Sequence, residues 1–289
     1  MLAGGCFPPD APLRGRPGPR RLPSPGRHTE PVPTDPSVFD NHLDSWEAYL
    51  ATPWARVRYD VVGRILDETL AGLGAGPHPV LDLGGGDGVD SVRLAAAGHE
   101  VTIVDSSAGM LDRAAAVTDR DGVKSRVRTI EADLVGWEPD GPYDLVLCHF
   151  VLQYLPADRP ALDVLRRAVR PGGAVSVICP NPVGDVMMAV RHDGDPALAL
   201  RRLRGEPRRT VTFDHEVRPT PRVDTERGLV DAGFAVWRRV GLRAAVDLLP
   251  DGPSKDEPAG YPAILALERE LAERAPYLDV ARAWQLVAS

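Results

Sequence analysis

Four glycines in five positions, Gly84, Gly85, Gly86 and Gly88, follow the apolar run Val80–Leu83, with Asp82 just ahead of them. A glycine-rich turn between a strand and a helix lets a ligand approach main-chain N–H groups and the positive end of the helix. The dinucleotide spacing G-x-G-x-x-G does not fit. Begun at Gly84 it requires glycine where Val89 stands, and begun at Gly86 it requires glycine where Ser91 stands. The spacing acidic-x-G-x-G-x-G fits in full on Asp82, Gly84, Gly86 and Gly88. Two more carboxylates recur downstream, Asp105 before Ser106 in "VTIVDSS" and Asp133 before Leu134 in "EADL". They are either ligand-binding groups at strand ends or helix caps.

These residues need a parallel sheet to bring them together. Short β-rich runs alternate with amphipathic helices. The expected strands are 80–83, 101–104, 127–130, 145–148 and 174–178, and helices are expected over 90–97, 108–118 and 161–169. Such alternation builds an α/β fold with helices on both faces. Helical spacing over 35–73 ends in Gly72, Gly74 and Gly76. The alternation stops between 181 and 222, in an arginine-bearing insert. A helix over 225–232, a strand over 234–240, a helix over 261–273 and a last strand near 283–288 complete the chain. Residues 1–33, rich in Pro, Gly and Arg, read as a disordered extension. The rest, 34–289, reads as one catalytic domain with N-terminal helices over 34–75.

Composition limits the possibilities. The net charge of −7 gives no global attraction to nucleic acid, and lysine occurs only at Lys124 and Lys255. With so much Ala, Gly and Pro, the arginine excess reads as compositional bias. No apolar run reaches the roughly 20 residues of a membrane span. Cys6, Cys148 and Cys179 lack metal-ligand spacing, which points to a reducing cytoplasm and no metal. Oligomeric state is not legible.

The acidic-x-G-x-G-x-G pattern resembles the first motif of class I methyltransferases, which bind S-adenosylmethionine (SAM). That resemblance implies glycines that clear a path for SAM and Asp82 near its ammonium. It implies Asp105 on the ribose hydroxyls, Asp133 at the adenine amino group and Leu134 against the ring. Over roughly 39–289 the chain is similar to bacterial tRNA 5-carboxymethoxyuridine methyltransferases. The matching pieces are "VLDLGGGDG", "GHEVTIVDSSAGMLDRA", "CHFVLQYL", "VRPGGAVSV", "NPVGDVMMAV", "RRT", "LVDAGF" and "YPAILALERELAERAPYL". The similarity implies a Rossmann-like sheet of seven strands, order 3-2-1-4-5-7-6, the last antiparallel, with a helical cap. It implies SAM contacts at Gly84, Gly85, Asp105, Asp133, Leu134 and His149, and Ser106 is a further cofactor-binding candidate. An arginine on the methionine carboxylate falls on Arg58, with Arg56 as the competing assignment. The long N-terminal extension and the diluted basic stretch, without the family's lysines, are departures.

A carboxylate nucleophile is ionised at neutral pH and needs no general base. His149 is either a base for a hydroxyl acceptor or a SAM contact. Cys148 reads as a packed core thiol. "NPVG" at Asn181 lacks the position and the aromatic of an amino-methyltransferase motif. Arg208, Arg209, Arg218 and Arg222 in the insert are candidates for substrate phosphates or a carboxylate, against a composition-driven surface. Tyr154 and Trp54 either line the substrate entrance or belong to the core. Three functions remain: a tRNA wobble-carboxylate methyltransferase, a small-molecule O- or N-methyltransferase of specialised metabolism, and a SAM-binding regulator without catalysis. A basic surface beside the cleft favours the first, and an enclosed aromatic pocket the second.

Overall fold

The computed structural model describes residues 35–250, 252, 255 and 259–289, so the extension expected over 1–33 lies outside the described residues. Three helices come first, α1 (Ser37–Asp40), α2 (Leu43–Leu50) and α3 (Pro53–Gly72). The last starts at Pro53 because Thr52 caps it, its hydroxyl accepting from Ala55 N at 3.2 Å.

The sheet then builds through β1 (Pro79–Leu83), α4 (Val92–Ala96), β2 (Glu100–Asp105), α5 (Ala108–Arg120), β3 (Val127–Glu131), β4 (Tyr143–His149), α6 (Arg159–Ala168) and β5 (Val169–Pro180). After it come α7 (Pro182–Arg191), α8 (Pro196–Leu203), the short strands β6 (Arg208–Arg209) and β7 (Glu216–Val217), α9 (Arg222–Asp231) and β8 (Val236–Leu242). Helix Tyr261–Leu271, the short helix Tyr277–Val280 and β9 (Ala283–Ala288) finish the chain.

The seven-stranded sheet runs β3-β2-β1-β4-β5-β9-β8. With β8 and β9 as its sixth and seventh strands, this is the expected 3-2-1-4-5-7-6. Only β9 is antiparallel to its neighbours, β5 and β8. The insert differs from a purely helical cap, since β6 and β7 pair as a small hairpin.

Side chains on the central strands alternate between two cores. Leu145 and Leu147 of β4 join Val61, Ile65 and Leu66 of α3 on one face. Val146 and Cys148 join Leu162 and Leu165 of α6 on the other. A sheet covered on both faces leaves its ligand crevice at the carboxyl ends of its strands. There β1, β2 and β4 end in the glycine turn, Asp105 and His149.

Candidate active site

The glycine turn is demanded by the fold as much as by any ligand. Gly84, Gly86 and Gly88 hold φ of +70°, +54° and +74°, a region that disfavours side chains. A Cβ would lie 2.5 Å from Val151 at Gly84, 2.5 Å from Asp82 at Gly85 and 2.7 Å from Ile103 at Gly88. At Gly86 the nearest atoms, Asp105 Oδ2 and Met110 Cε, are 4.0 Å away. Gly84, Gly85 and Gly86 line the cavity, so the expectation of a ligand path is corrected at Gly88 alone. Gly84, Gly85 and Gly88 make room for the protein's own side chains. Gly86 is the one of the four laid bare, and Gly88 does not line the cavity.

That cavity, about 1290 Å³, exceeds the roughly 300–1,000 Å³ of a single small-molecule site. Asp82, Asp105, Ser106, Asp133, Leu134, His149 and Arg58 all line it. Asp105 Oδ2 accepts from Gly86 N at 2.8 Å and its Oδ1 from Ser107 N at 2.9 Å, which fixes the carboxylate plane. Asp133 is held by Val135 N at 2.8 Å. Burial raises Asp105, and pushes the Asp82 carboxyl up to about 6.

A buried polar chain crosses the floor. Arg58 Nη1 donates to Asp90 Oδ2 at 3.2 Å, and His149 Nδ1 donates to the same oxygen at 2.9 Å. His149 Nε2 meets Ser176 Oγ at 2.8 Å, and that hydroxyl also takes Gln285 Nε2 at 2.9 Å. Burial raises the pKa of Asp90, yet Arg58 and His149 beside it hold the carboxyl well below the usual range. Burial likewise disfavours the Arg58 charge, and Asp90 more than restores it. Both His149 ring nitrogens are thus occupied, which removes the free nitrogen that a general base requires. Asp90 escaped the sequence reading because it falls at the first position of the expected helix 90–97, where nothing local sets an acidic residue apart.

The N-terminal helices close over this end. Asp40 accepts from Ser107 Oγ at 2.5 Å and Gly109 N at 3.1 Å, and Trp46 Nε1 donates to Asp87 Oδ2 at 2.6 Å. Phe213, in the turn of the β6–β7 hairpin, packs 5.1 Å from Phe39 and 5.8 Å from Trp46 between ring centres. Tyr154 packs against Phe39 at 5.2 Å.

A family model described as a methyltransferase domain matches residues 80–173. The tRNA 5-carboxymethoxyuridine methyltransferase of Escherichia coli O157:H7 is 30% identical over 247 residues, 84% of this chain and 92% of that protein. The chain belongs to this methyltransferase family. It is a SAM-dependent enzyme. Magnesium protoporphyrin IX methyltransferase from Synechocystis PCC 6803, solved with bound SAH, is similar in fold, with TM-score 0.56 and 15% identity over 88% of this chain and 99% of that one. A SAM-dependent methyltransferase from Mesorhizobium loti gives TM-score 0.53 and 20% identity over 76% and 95%.

Two residues that line the methyltransferase's cavity carry buried, unpaired polar atoms. Arg58 Nε and Tyr59 Oη are buried without a hydrogen-bond partner among the described residues, and both residues line the cavity. With the bare backbone at Gly86, the Arg58 guanidinium on the cavity wall fits a ligand that has a carboxylate at one end. Arg56, the competing assignment, is exposed and stacks on Tyr261 at 4.1 Å instead.

Tyr154, Gln153, Arg208, Arg209 and Thr210 also line the cavity. Arg208 is mostly buried and lies 3.2 Å from Asp185, while exposed Arg209 pairs with Asp214 at 2.9 Å. Burial lowers the Arg208 pKa and pushes the Tyr154 phenol up to about 12. Trp54 also lines the wall. Arg218 and Arg222 are corrected, because neither reaches the cavity. Arg218 ties the carbonyls of Leu155 and Leu152, at 2.7 and 2.8 Å, to Asp158. Arg222 bridges Glu226 and Asp279 at 3.1 and 2.7 Å. Among the described residues no cluster could hold a metal, and no helix is long and apolar enough to cross a membrane.

Proposed function

We propose that this enzyme methylates a carboxylate oxygen of a modified wobble uridine in tRNA, forming an ester. The observation that carries the carboxylate is a pairing of features in one cavity: Arg208 lines it, while His149 spends both ring nitrogens on Asp90 and Ser176. A cation for an anionic acceptor is present, and the imidazole at the end of β4 has no nitrogen left to deprotonate a hydroxyl. The tRNA comes from the E. coli relative, whose length this chain covers almost throughout. A cytoplasmic site of action follows from that substrate.

Arg58 would hold the α-carboxylate of SAM and Asp82 its ammonium. Asp105, with Ser106 beside it, would accept from the ribose hydroxyls. Asp133 would take the adenine amino group, Leu134 would cover the ring, and the backbone of Gly84–Gly86 would border the ligand. When bound, SAM would supply a methyl group on a sulfonium. Displacement by the acceptor's carboxylate oxygen would form a C–O bond as the C–S bond breaks and would need no proton transfer. Arg208 aligns the attacking carboxylate, and Phe39, Trp46 and Phe213 exclude water, so positioning provides most of the acceleration.

A second reading, a small-molecule acceptor, is favoured by the aromatic closure around Phe39, Trp46, Tyr154 and Phe213 and by the carboxylate partners of the cavity arginines. Comparison of tRNA bearing 5-carboxymethoxyuridine with the same tRNA bearing 5-methoxyuridine tests the choice. Methyl transfer to the first alone is expected. Transfer to neither, from protein that binds SAM, shifts the reading to a small molecule.

A further inference from the structure

The segment "NPVGDVMMAV" fixes a second arginine on the cavity wall. Asn181 caps α7, its Oδ1 accepting from Val183 N at 3.2 Å, and its Nδ2 donates to the carbonyls of Asp279 and Ala281, each at 2.9 Å. Gly184 lets the helix lie on that same stretch, since a Cβ there would collide with the Ala281 carbonyl and stand 3.1 Å from Arg282 Cα. Arg282 N donates to the Arg243 carbonyl at 3.2 Å, and the Arg282 carbonyl accepts from Asn181 N at 3.0 Å. The Arg282 backbone is thus held on both sides, just ahead of β9. Asp185, in the first turn of α7, then takes the side chain, its Oδ1 accepting from Arg282 Nη1 while its Oδ2 faces Arg208 Nε at 3.2 Å. All three residues line the cavity, and their side chains keep accessible surface, 24% for Arg282, 21% for Arg208 and 11% for Asp185. Two guanidiniums therefore share one carboxylate. The Arg208 contact lacks hydrogen-bond geometry, so its charge is answered only in part. Burial lowers the Arg208 pKa, Asp185 raises it, and Arg282 and Arg202 lower it again. An excess of cations on a partly desolvated wall favours an anion in the cavity.

We infer that Arg282 binds the methyl acceptor together with Arg208, the two guanidiniums holding its carboxylate while Asp185 keeps both in place. The inference rests on the carboxylate reading of the site, to which Arg282 adds the second cation. A pair of guanidiniums selects an anion by refusing its neutral isostere, because an amide turns an NH2 donor toward groups that can only donate. A phosphate of the RNA backbone offers the same oxyanion chemistry, and the two sources separate by experiment.

The test measures binding with SAH in place of SAM, so that no methyl group moves. It uses two anticodon stem–loop RNAs, one with 5-carboxymethoxyuridine and one with its neutral amide, 5-carbamoylmethoxyuridine. The unaltered enzyme is expected to bind the carboxylate RNA about 10- to 100-fold more tightly than the amide RNA. Arg282→Gln is expected to shrink that ratio by about 5- to 10-fold, with affinity for the amide RNA and for SAH unchanged. Arg282→Lys is expected to recover part of the ratio, since it returns the charge without the planar fork. Arg208→Gln, which leaves Arg282 untouched, is expected to retain part of it. Equal weakening of both RNAs by Arg282→Gln assigns the residue to a backbone phosphate or to structure and overturns the inference alone. So does an Arg282→Gln enzyme that keeps the full ratio. An Arg208→Gln enzyme with no preference left also overturns it, and requires no change at Arg282. Equal binding of the two RNAs by the unaltered enzyme overturns the carboxylate reading and the inference with it.

Discussion

His149 at the end of β4 donates from Nδ1 to Asp90, 2.9 Å away in the stretch that follows the glycine turn. The contact spans 59 residues and ties the sheet to the loop that faces the cofactor end. Because the same carboxylate oxygen takes Arg58 at 3.2 Å, one acidic group fixes two elements of the cavity floor.

Asp90→Asn removes that shared charge and leaves Arg58 buried without its counter-ion. A loss of about 3–5 kcal/mol in folding stability is expected. Urea denaturation monitored by circular dichroism measures it, and SAM affinity should fall with it. Asp90→Asn at unaltered stability would mean that Arg58 and His149 are held by something else.

Asp105→Ala should weaken SAM binding by about 1.5–3 kcal/mol, the cost of losing hydrogen bonds to a charged group. Titration calorimetry gives the number directly. An unchanged dissociation constant would remove Asp105 from the cofactor site.

The two arginines Arg208 and Arg218 should separate cleanly. Arg208→Ala is expected to lower kcat/KM on tRNA by about 10- to 100-fold with SAM affinity retained. Arg218→Ala should instead lower stability by about 1.5–3 kcal/mol, since it frees the carbonyls of Leu152 and Leu155 and the Asp158 carboxylate. Full activity of Arg208→Ala would contradict its place at the acceptor end.

Asp82 makes a pH prediction whose sign follows from burial. Its carboxyl is pushed up to about 6, above an unfolded value of about 3.9. The folded state therefore binds more protons between about pH 4 and 6, and Asp82 lowers stability as pH rises through that window. A cationic ligand favours the ionised form. SAM affinity should accordingly rise from pH 5 to 7, by less than about tenfold per unit, and level off above. Calorimetry across that range should show the rise, and Asp82→Asn should flatten it.

Much of this architecture is legible in the chain because parallel strands buried on both faces leave continuous apolar runs, and helices leave a 3.6-residue period. The strand ends then carry Asp105 and Asp133 to one side with no further information. What escapes is whatever depends on distant partners. Asp90 reads as the first residue of a helix until His149 and Arg58 converge on it. Phe213 looks like a loop residue until Phe39 and Trp46 meet it across the cavity. Residue type misled at Arg218 and Arg222, since in an arginine-rich chain the guanidinium serves ordinary ion pairs as readily as substrates. The glycines misled in the opposite direction, for Val151, Asp82 and Ile103 need the space as much as any ligand does.

The central claim is the formation of a methyl ester on a tRNA carboxylate. Purified protein incubated with methyl-labelled SAM and tRNA carrying wobble 5-carboxymethoxyuridine tests it most directly. The expected result is label in that nucleoside, released by mild base as an ester requires. Label that survives base, or no label from protein shown to bind SAM, would contradict it.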